Sequence, residues 1–316
     1  MMNIEILVRN KSLLLSALFV IFQIMIINLF LFEQIQIPIK FLKFEDSSTQ
    51  SVSPSNYDLT IAKHEKVFDL RRSARQNSTS NYTYGNEKHY FDPFESEANC
   101  FSEERFGFSN RYHAFSDGPK FICGVDLIAA KGKRNAEDCL VYSVGSRNKI
   151  EFETAVHKIM GCEIFTFDPT IREEHFVGVE IATFKSWALG IDGQKAMGKD
   201  GKSIETIMKE LGHEGRKIDI LKIDCEGCEY DIMPQLFDQM ADRNITIDQI
   251  QIELHSNSGR KDKIREFFEG ADKAGMRIFH KERNHWGCMG YKCAEYALVS
   301  ESFLREANRA AICPFD

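Results

Sequence analysis

The run Cys139–Thr170, CLVYSVGSRNKIEFETAVHKIMGCEIFTFDPT, decides the fold. Its opening, CLVYSVGS, is a short apolar run closed by a glycine turn. In FETAVHKIMG, Phe152, Val156 and Ile159 recur at helical spacing, and Gly161 stands where a helix stops. CEIFTFDPT is a second apolar run, ended by Asp168-Pro169. Strand, helix and strand in this order form a β-α-β unit, whose two strands run parallel.

The same alternation continues downstream. FVGVEIAT (176–183) reads as a third strand and SIETIMKELGH (203–213) as a helix with Ser203 as N-cap. IDILKID (218–224) is a fourth strand. YDIMPQLFDQM (230–240) is a helix that Pro234 must kink or begin. IDQIQIELH (247–255) is the fifth strand, and KDKIREFFEGADKAG (261–275) carries Ile264, Phe267, Phe268 and Ala271 on one helical face. MRIFHKE (276–282) and AEYALVS (294–300) supply the last two strands. The pattern implies an α/β fold, a mostly parallel sheet with helices on both faces.

Ligands of such sheets bind beyond the carboxyl ends of the strands. There the sequence gathers Gly145 and Ser146, Asp168, Asp224 and Glu226, and Glu253 and His255. Gly145 lets a ligand approach backbone N–H groups at a helix start. Asp168, one strand later, is placed to bond ribose hydroxyls. Together they point to a nucleoside-containing cofactor, although the full G-x-G-x-x-G run is absent.

The blocks VYSVGSRNKIEFE, GCEIFTFDPT, DILKIDCEGCEYDI and QIQIELH resemble the methyltransferase-like 24 group, relatives of the FkbM-type methyltransferases. The upstream DGPKFICGVD is similar to that group as well, with Pro119 in place of a second glycine. The resemblance runs from about residue 100 to the C-terminus. It implies the seven-stranded class I methyltransferase sandwich and S-adenosylmethionine as cofactor. Its contacts would fall on Ser143, Gly145, Ser146, Asp168 and Asp224. Methyl transfer to an oxygen acceptor is helped by a base near the fourth or fifth strand end. Asp224, Glu226 and His255 are the candidates, and His255 has the most suitable ordinary pKa. Lys222, among apolar neighbours, calls for a partner, and a rim acid is the expected one.

Three other chemistries compete for the same residues. Cys225/Cys228 and Cys288/Cys293 have the pairing of a zinc site, and Cys225-x-x-Cys228 that of a redox dithiol; structural disulfides or buried thiols are preferred, and no metal site is assigned. Asp224-Cys-Glu226 also resembles the spaced acids with which luminal glycosyltransferases hold a metal and a nucleotide diphosphate, which stands as the alternative function. The sparse glycine loop leaves a non-catalytic ectodomain as a further alternative.

The N-terminus bears on location. Residues 13–32, LLLSALFVIFQIMIINLFLF, contain no charged side chain, and about 20 residues at about 1.5 Å each span a bilayer core. The segment is expected to be an uncleaved anchor with residues 1–12 as cytosolic tail, residues 33–95 a Ser- and Asn-rich stem, and residues 96–316 the methyltransferase-like body. Sequons at Asn77, Asn81 and Asn244 and nine cysteines favour a luminal body, in the Golgi or endoplasmic reticulum, with secretion as the alternative. The spacing leaves disulfide connectivity open, and the odd cysteine is free or pairs between chains. A net charge of -7 with no basic run argues against nucleic acid. The expected partners are the membrane, through the N-terminal helix, and an acceptor of unknown identity, a glycan or small molecule.

Overall fold

The structure, a computed structural model, describes residues 54–81, 86–107, 118–176, 178–256, 260–285 and 288–312. The expected tail 1–12 and anchor 13–32 lie outside these residues. Among the described residues no helix is long and apolar enough to cross a membrane.

The expected stem is not featureless. Residues 57–76 are rich in Lys, Arg, Glu, Ala and Leu, good helix formers, and helix α1 spans Pro54–Asn81. It is tied to the body by buried Phe68 and by Arg75, which pairs with Glu97 at 3.0 Å and Asp272 at 2.6 Å. Phe91 and Phe94 are also core residues, so packed structure begins well before residue 96.

Next come the hairpin β1 (Glu103–Phe106) and β2 (Lys120–Cys123), and helix α2 (Val125–Arg134). The β-α-β unit follows as expected: β3 (Leu140–Val144), α3 (Glu151–Met160) and β4 (Glu163–Phe167). Gly161 caps α3 in the left-handed region, with φ of 72°. Its buried face is Phe152, Val156 and Met160; Ile159, expected inside, is exposed.

The third strand is shorter than expected. Phe176 ends a 3-10 turn and Gly178 has φ of +84°, so extended backbone is confined to β5, Thr183–Lys185. Three short strands then form a separate small sheet: β6 (Ala188–Leu189), β7 (Lys195–Ala196) and β8 (Lys199–Lys202). Helix α4 (Ile204–Leu211) starts at Ser203, whose hydroxyl caps Thr206 N–H at 3.1 Å. β9 (Ile218–Ile223), α5 (Glu229–Ala241, with Pro234 inside it), β10 (Ile247–His255), α6 (Lys261–Lys273), β11 (Met276–Arg283), β12 (Cys293–Ser300) and α7 (Glu301–Ile312) complete the chain.

The main sheet has seven strands in the order β11-β12-β10-β9-β3-β4-β5. Five are parallel, from β10 to β5, and chain order reverses direction across the sheet between β3 and β9. β12 inserts antiparallel between β10 and β11. This mixed sheet is the class I methyltransferase architecture expected from the resemblance. Side chains alternate between two cores: Leu140, Tyr142 and Val144 face one with α4, α5 and α6, and Val141 faces the other with α2, α3 and α7.

Eight cysteines pair among the described residues: Cys100–Cys123, Cys139–Cys162, Cys225–Cys228 and Cys288–Cys293. The zinc reading loses its thiols to these bonds. The ninth, Cys313, lies outside the described residues.

Candidate functional site

A cleft of about 880 Å³ opens over the carboxyl ends of β3, β4, β9 and β10, at the crevice where chain order reverses. Its wall includes Gly145, Ser146, Asp168, Lys222, Asp224 and Glu253.

Gly145 is where β3 hands over to the loop. It has φ of +78°, and a Cβ there would lie 1.7 Å from the carbonyl oxygen of Asp224. Only glycine lets the two strand ends come this close. Gly145 N–H donates to Phe167 O at 2.9 Å, and Asp224 N–H to Val144 O at 3.0 Å, locking the three strand ends together. Lys222 does not pair with a rim acid as expected. Its ammonium donates to the carbonyls of Gly145 and, at 3.3 Å, Val144.

Asp168 closes the loop from the other side. Its Oδ2 accepts from the N–H groups of Ser146 (3.0 Å) and Arg147 (2.7 Å), and from Ser146 Oγ at 3.4 Å. Its Oδ1 accepts from Thr170 N–H (2.9 Å) and Thr170 Oγ1 (2.6 Å). Burial works to raise this pKa, but the bonds from Thr170, Arg147 and Ser146 outweigh it and hold the carboxyl below its usual range. Asp168 therefore first shapes the glycine loop, with its lone pairs largely engaged there. Ser143, another expected contact, is fully buried and gives its hydroxyl to Glu153, a carboxylate on the cleft wall. It supports the loop from beneath.

The acidic rim is built from β9, β10, β12 and the start of α5. His255, at the end of β10, takes buried Glu229 at Nδ1 (2.7 Å); Nε2 lies 3.3 Å from Glu226 and 3.7 Å from Glu253. Burial would lower its pKa, but the Glu229 bond, with Glu253 and Glu226, lifts it to about 9. The ring thus holds its proton at neutral pH, which corrects the expectation of His255 as a ready base. Burial, with Glu295 and Asp224 nearby, pushes Glu253 up to about 8, and Asn284 donates to its Oε1 at 2.9 Å. Asp224 goes the other way: burial raises it, but Lys120, Lys222 and His255 pull it below its usual value.

Lys120, on β2, escaped the sequence reading. It is buried, pairs with Glu295 of β12 and reaches Asp224 at 4.0 Å. No local pattern marks it, since its partners lie far along the chain. Glu253 was more legible: in IDQIQIELH, Gln249, Gln251 and Glu253 alternate with the apolar Ile250, Ile252 and Leu254, so one face of a buried strand is polar. Glu226 is the most exposed of the expected residues, with a φ of +56°.

A sequence-family model described as a methyltransferase domain matches residues 57–300. The chain belongs to the methyltransferase-domain family. Among curated relatives, the rat (Rattus norvegicus) protein named "Probable methyltransferase-like protein 24" is 26% identical over 184 residues, covering 51% of this chain and 48% of the relative. Its human (Homo sapiens) counterpart is 23% identical over 184 residues, covering 52% and 49%. The chain thus spans about half the length of the curated relatives it matches. Among solved structures, a Burkholderia thailandensis 1,6-didemethyltoxoflavin-N1-methyltransferase with bound S-adenosylhomocysteine is 13% identical, covers 56% of this chain and 78% of its own, and has a TM-score of 0.30. A ribosomal protein L11 methylase from Lactobacillus delbrueckii subsp. bulgaricus is 16% identical, covers the same shares, and has a TM-score of 0.31. These two superpose too loosely to bear on the site. The family agrees with the resemblance drawn from the sequence and with S-adenosylmethionine as cofactor. It favours methyl transfer over the glycosyltransferase alternative.

Proposed function

We propose that the protein transfers a methyl group from S-adenosylmethionine to an oxygen nucleophile, such as a glycan hydroxyl, in the lumen of the secretory pathway. The observation that carries the cofactor is the Gly145 cradle, where a Cβ would strike the Asp224 backbone at 1.7 Å, opening into the cleft. Gly145, Ser146 and Asp168 would hold the nucleoside end, the last chiefly by fixing the loop. Bound there, S-adenosylmethionine supplies an electrophilic methyl group. The chain's own part is positioning and proton handling. Asp224 presents a carboxylate on the wall of the cleft to an acceptor hydroxyl, and Glu253, with its raised pKa, a protonated carboxyl beside it. Glu229, buried behind His255, fixes the ring so that Nε2 faces the rim.

The luminal assignment draws support from the four disulfides, which belong to oxidising compartments. Asn77 and Asn244 are both exposed, as glycan acceptors must be. Membrane attachment through residues 13–32 rests on their length and apolarity.

Calorimetry on the full-length protein tests the function. Saturable binding of S-adenosylmethionine is expected. Binding of a nucleotide sugar with Mn²⁺ instead would restore the glycosyltransferase, and binding of neither would leave a non-catalytic ectodomain. Location is tested in cells: a glycan on Asn77 is expected, and an unmodified Asn77 removes the luminal reading's best support.

A further inference from the structure

Cys225 and Cys228 both line the cleft, and methyl transfer gives their disulfide no task. They flank the Glu226–Gly227 turn, whose two residues have left-handed backbone, with φ of +56° and +120°. A glutamate is uncommon in that region and stays there only where its surroundings hold it. The bridge supplies that hold. It ties the end of β9, where the Asp224 carbonyl lies against Gly145, to the start of α5, where Glu229 holds His255. One covalent clamp thus joins the glycine loop's neighbour to the acidic rim.

Three observations set this bridge apart from the other disulfides. Cys225 and Cys228 are both half-buried, whereas every other bridge has at least one fully buried cysteine: Cys123, Cys139 with Cys162, and Cys293. Attack on a disulfide needs access to a sulfur. The Arg260 guanidinium packs against the turn, since a Cβ at Gly227 would lie 2.7 Å from one of its nitrogens. Cys228 directly precedes α5, a helix of 13 residues. A guanidinium and a helix start are surroundings in which a cysteine forms thiolate; Glu226 and Glu229 work against them. Finally, the bridge closes the shortest loop, with a sequence separation of 3 against 23, 23 and 5, so its opening costs the fold least.

We propose that Cys225–Cys228 is a thiol–disulfide exchange site whose reduction loosens the cleft and weakens S-adenosylmethionine binding. The inference rests on the cofactor reading for what it regulates. The reductant is a dithiol. One of its thiolates attacks Cys225 Sγ, forming a mixed disulfide and releasing Cys228 as thiolate beside Arg260. Its second sulfur then displaces Cys225, and the reductant leaves as a disulfide. Two electrons pass to the protein, and the two protons of the dithiol end on Cys225 and Cys228. The freed Glu226–Gly227 turn relaxes, and Asp224 loses the tie that keeps its carbonyl against the glycine loop. By linkage, the cofactor, which prefers the bridged form, opposes the reduction.

The test uses the full-length protein, dithiothreitol and S-adenosylmethionine. After limiting dithiothreitol and alkylation, peptide mass spectrometry should find Cys225 and Cys228 labelled before the cysteines of the other three bridges. Saturating S-adenosylmethionine should slow that labelling at least about 5-fold. Calorimetry on protein reduced at this pair alone, and on the double variant Cys225→Ser/Cys228→Ser, should show binding at least about 5-fold weaker than in the bridged protein. The labelling and the reduced wild type need no variant, so a misfolded variant leaves the proposal exposed to refutation. Earlier labelling of another bridge overturns the exchange site. Equal or tighter binding after reduction overturns the switch alone, provided the bridged protein binds. If the bridged protein binds no S-adenosylmethionine, the cofactor reading falls and takes the switch with it.

Discussion

Replacing Asp168 with asparagine separates two roles for the acid at the end of β4. Each carboxylate oxygen faces only donors: Ser146 and Arg147 N–H on one side, Thr170 N–H and hydroxyl on the other. An amide has one oxygen and one NH2. Its less costly orientation keeps the oxygen on Ser146 and Arg147 and turns the NH2 to Thr170, whose hydroxyl can rotate to accept but whose N–H cannot. The N–H of Thr170, an exposed residue, then loses its partner, at about 1 kcal/mol, and the remaining bonds lose their charge assistance. Asp168→Asn should therefore cost about 3 kcal/mol in urea unfolding, and Asp168→Ala more, since all three N–H groups lose their acceptor. Because the Gly145–Arg147 loop lines the cleft, S-adenosylmethionine should also bind at least about 10-fold more weakly by calorimetry. A pure ribose ligand would behave differently, with stability within about 1 kcal/mol of wild type and only binding lost. That outcome would refute the loop-clamp assignment. No change in either quantity would remove Asp168 from the site.

Gly145→Ala should be more severe: an alanine at φ +78° costs about 1–2 kcal/mol by itself, and its Cβ meets the Asp224 carbonyl at 1.7 Å. A variant that melts like the wild type and keeps cofactor affinity would show that β3 and β9 are not in contact there. Loss of Cys139–Cys162, with a sequence separation of 23, should destabilise by ~3.5 kcal/mol, against ~2 kcal/mol for Cys225–Cys228, with a separation of 3. Denaturant unfolding of the two double-serine variants checks the order, and the reverse order would refute the loop-entropy argument. His213 supplies a pH effect. Burial and then Arg216 depress its pKa, and Tyr142 Oη lies 2.7 Å from its Nδ1. Its contribution is complete above the unfolded value of ~6.5 and is lost as pH falls towards the lower folded value. Unfolding at pH 7.5 and 5.5 should show a smaller acid loss in His213→Gln than in wild type; equal losses would clear His213.

The β-α-β unit was legible because its signals are local: two apolar runs, a helical stripe and Gly161 as the stop. The direction of β12 was not taken from the same kind of pattern, since a strand reads alike in either direction. A clue was present in the connection. Only residues 284–292 separate β11 from β12, too few for the crossover that parallel neighbours need. The helix over 54–81 was hidden by its Ser- and Asn-rich end, which drew attention from the helix formers preceding it.

The site divides along the same line. Which residues reach the rim follows from strand ends, so Gly145, Asp168, Asp224, Glu226 and His255 were found. What each does there depends on neighbours distant in sequence, and so Lys120 and Glu295 were missed and His255 was read as a base with an ordinary pKa. Lys222 shows why charge matching alone misleads. A lysine in an apolar strand beside two acids invites an ion pair. Yet the positive φ of Gly145 turns that residue off the strand, and Lys222 takes its carbonyl together with that of Val144. The ammonium is consumed in holding the glycine loop against β9. The rim acids are then left to Lys120 and to His255.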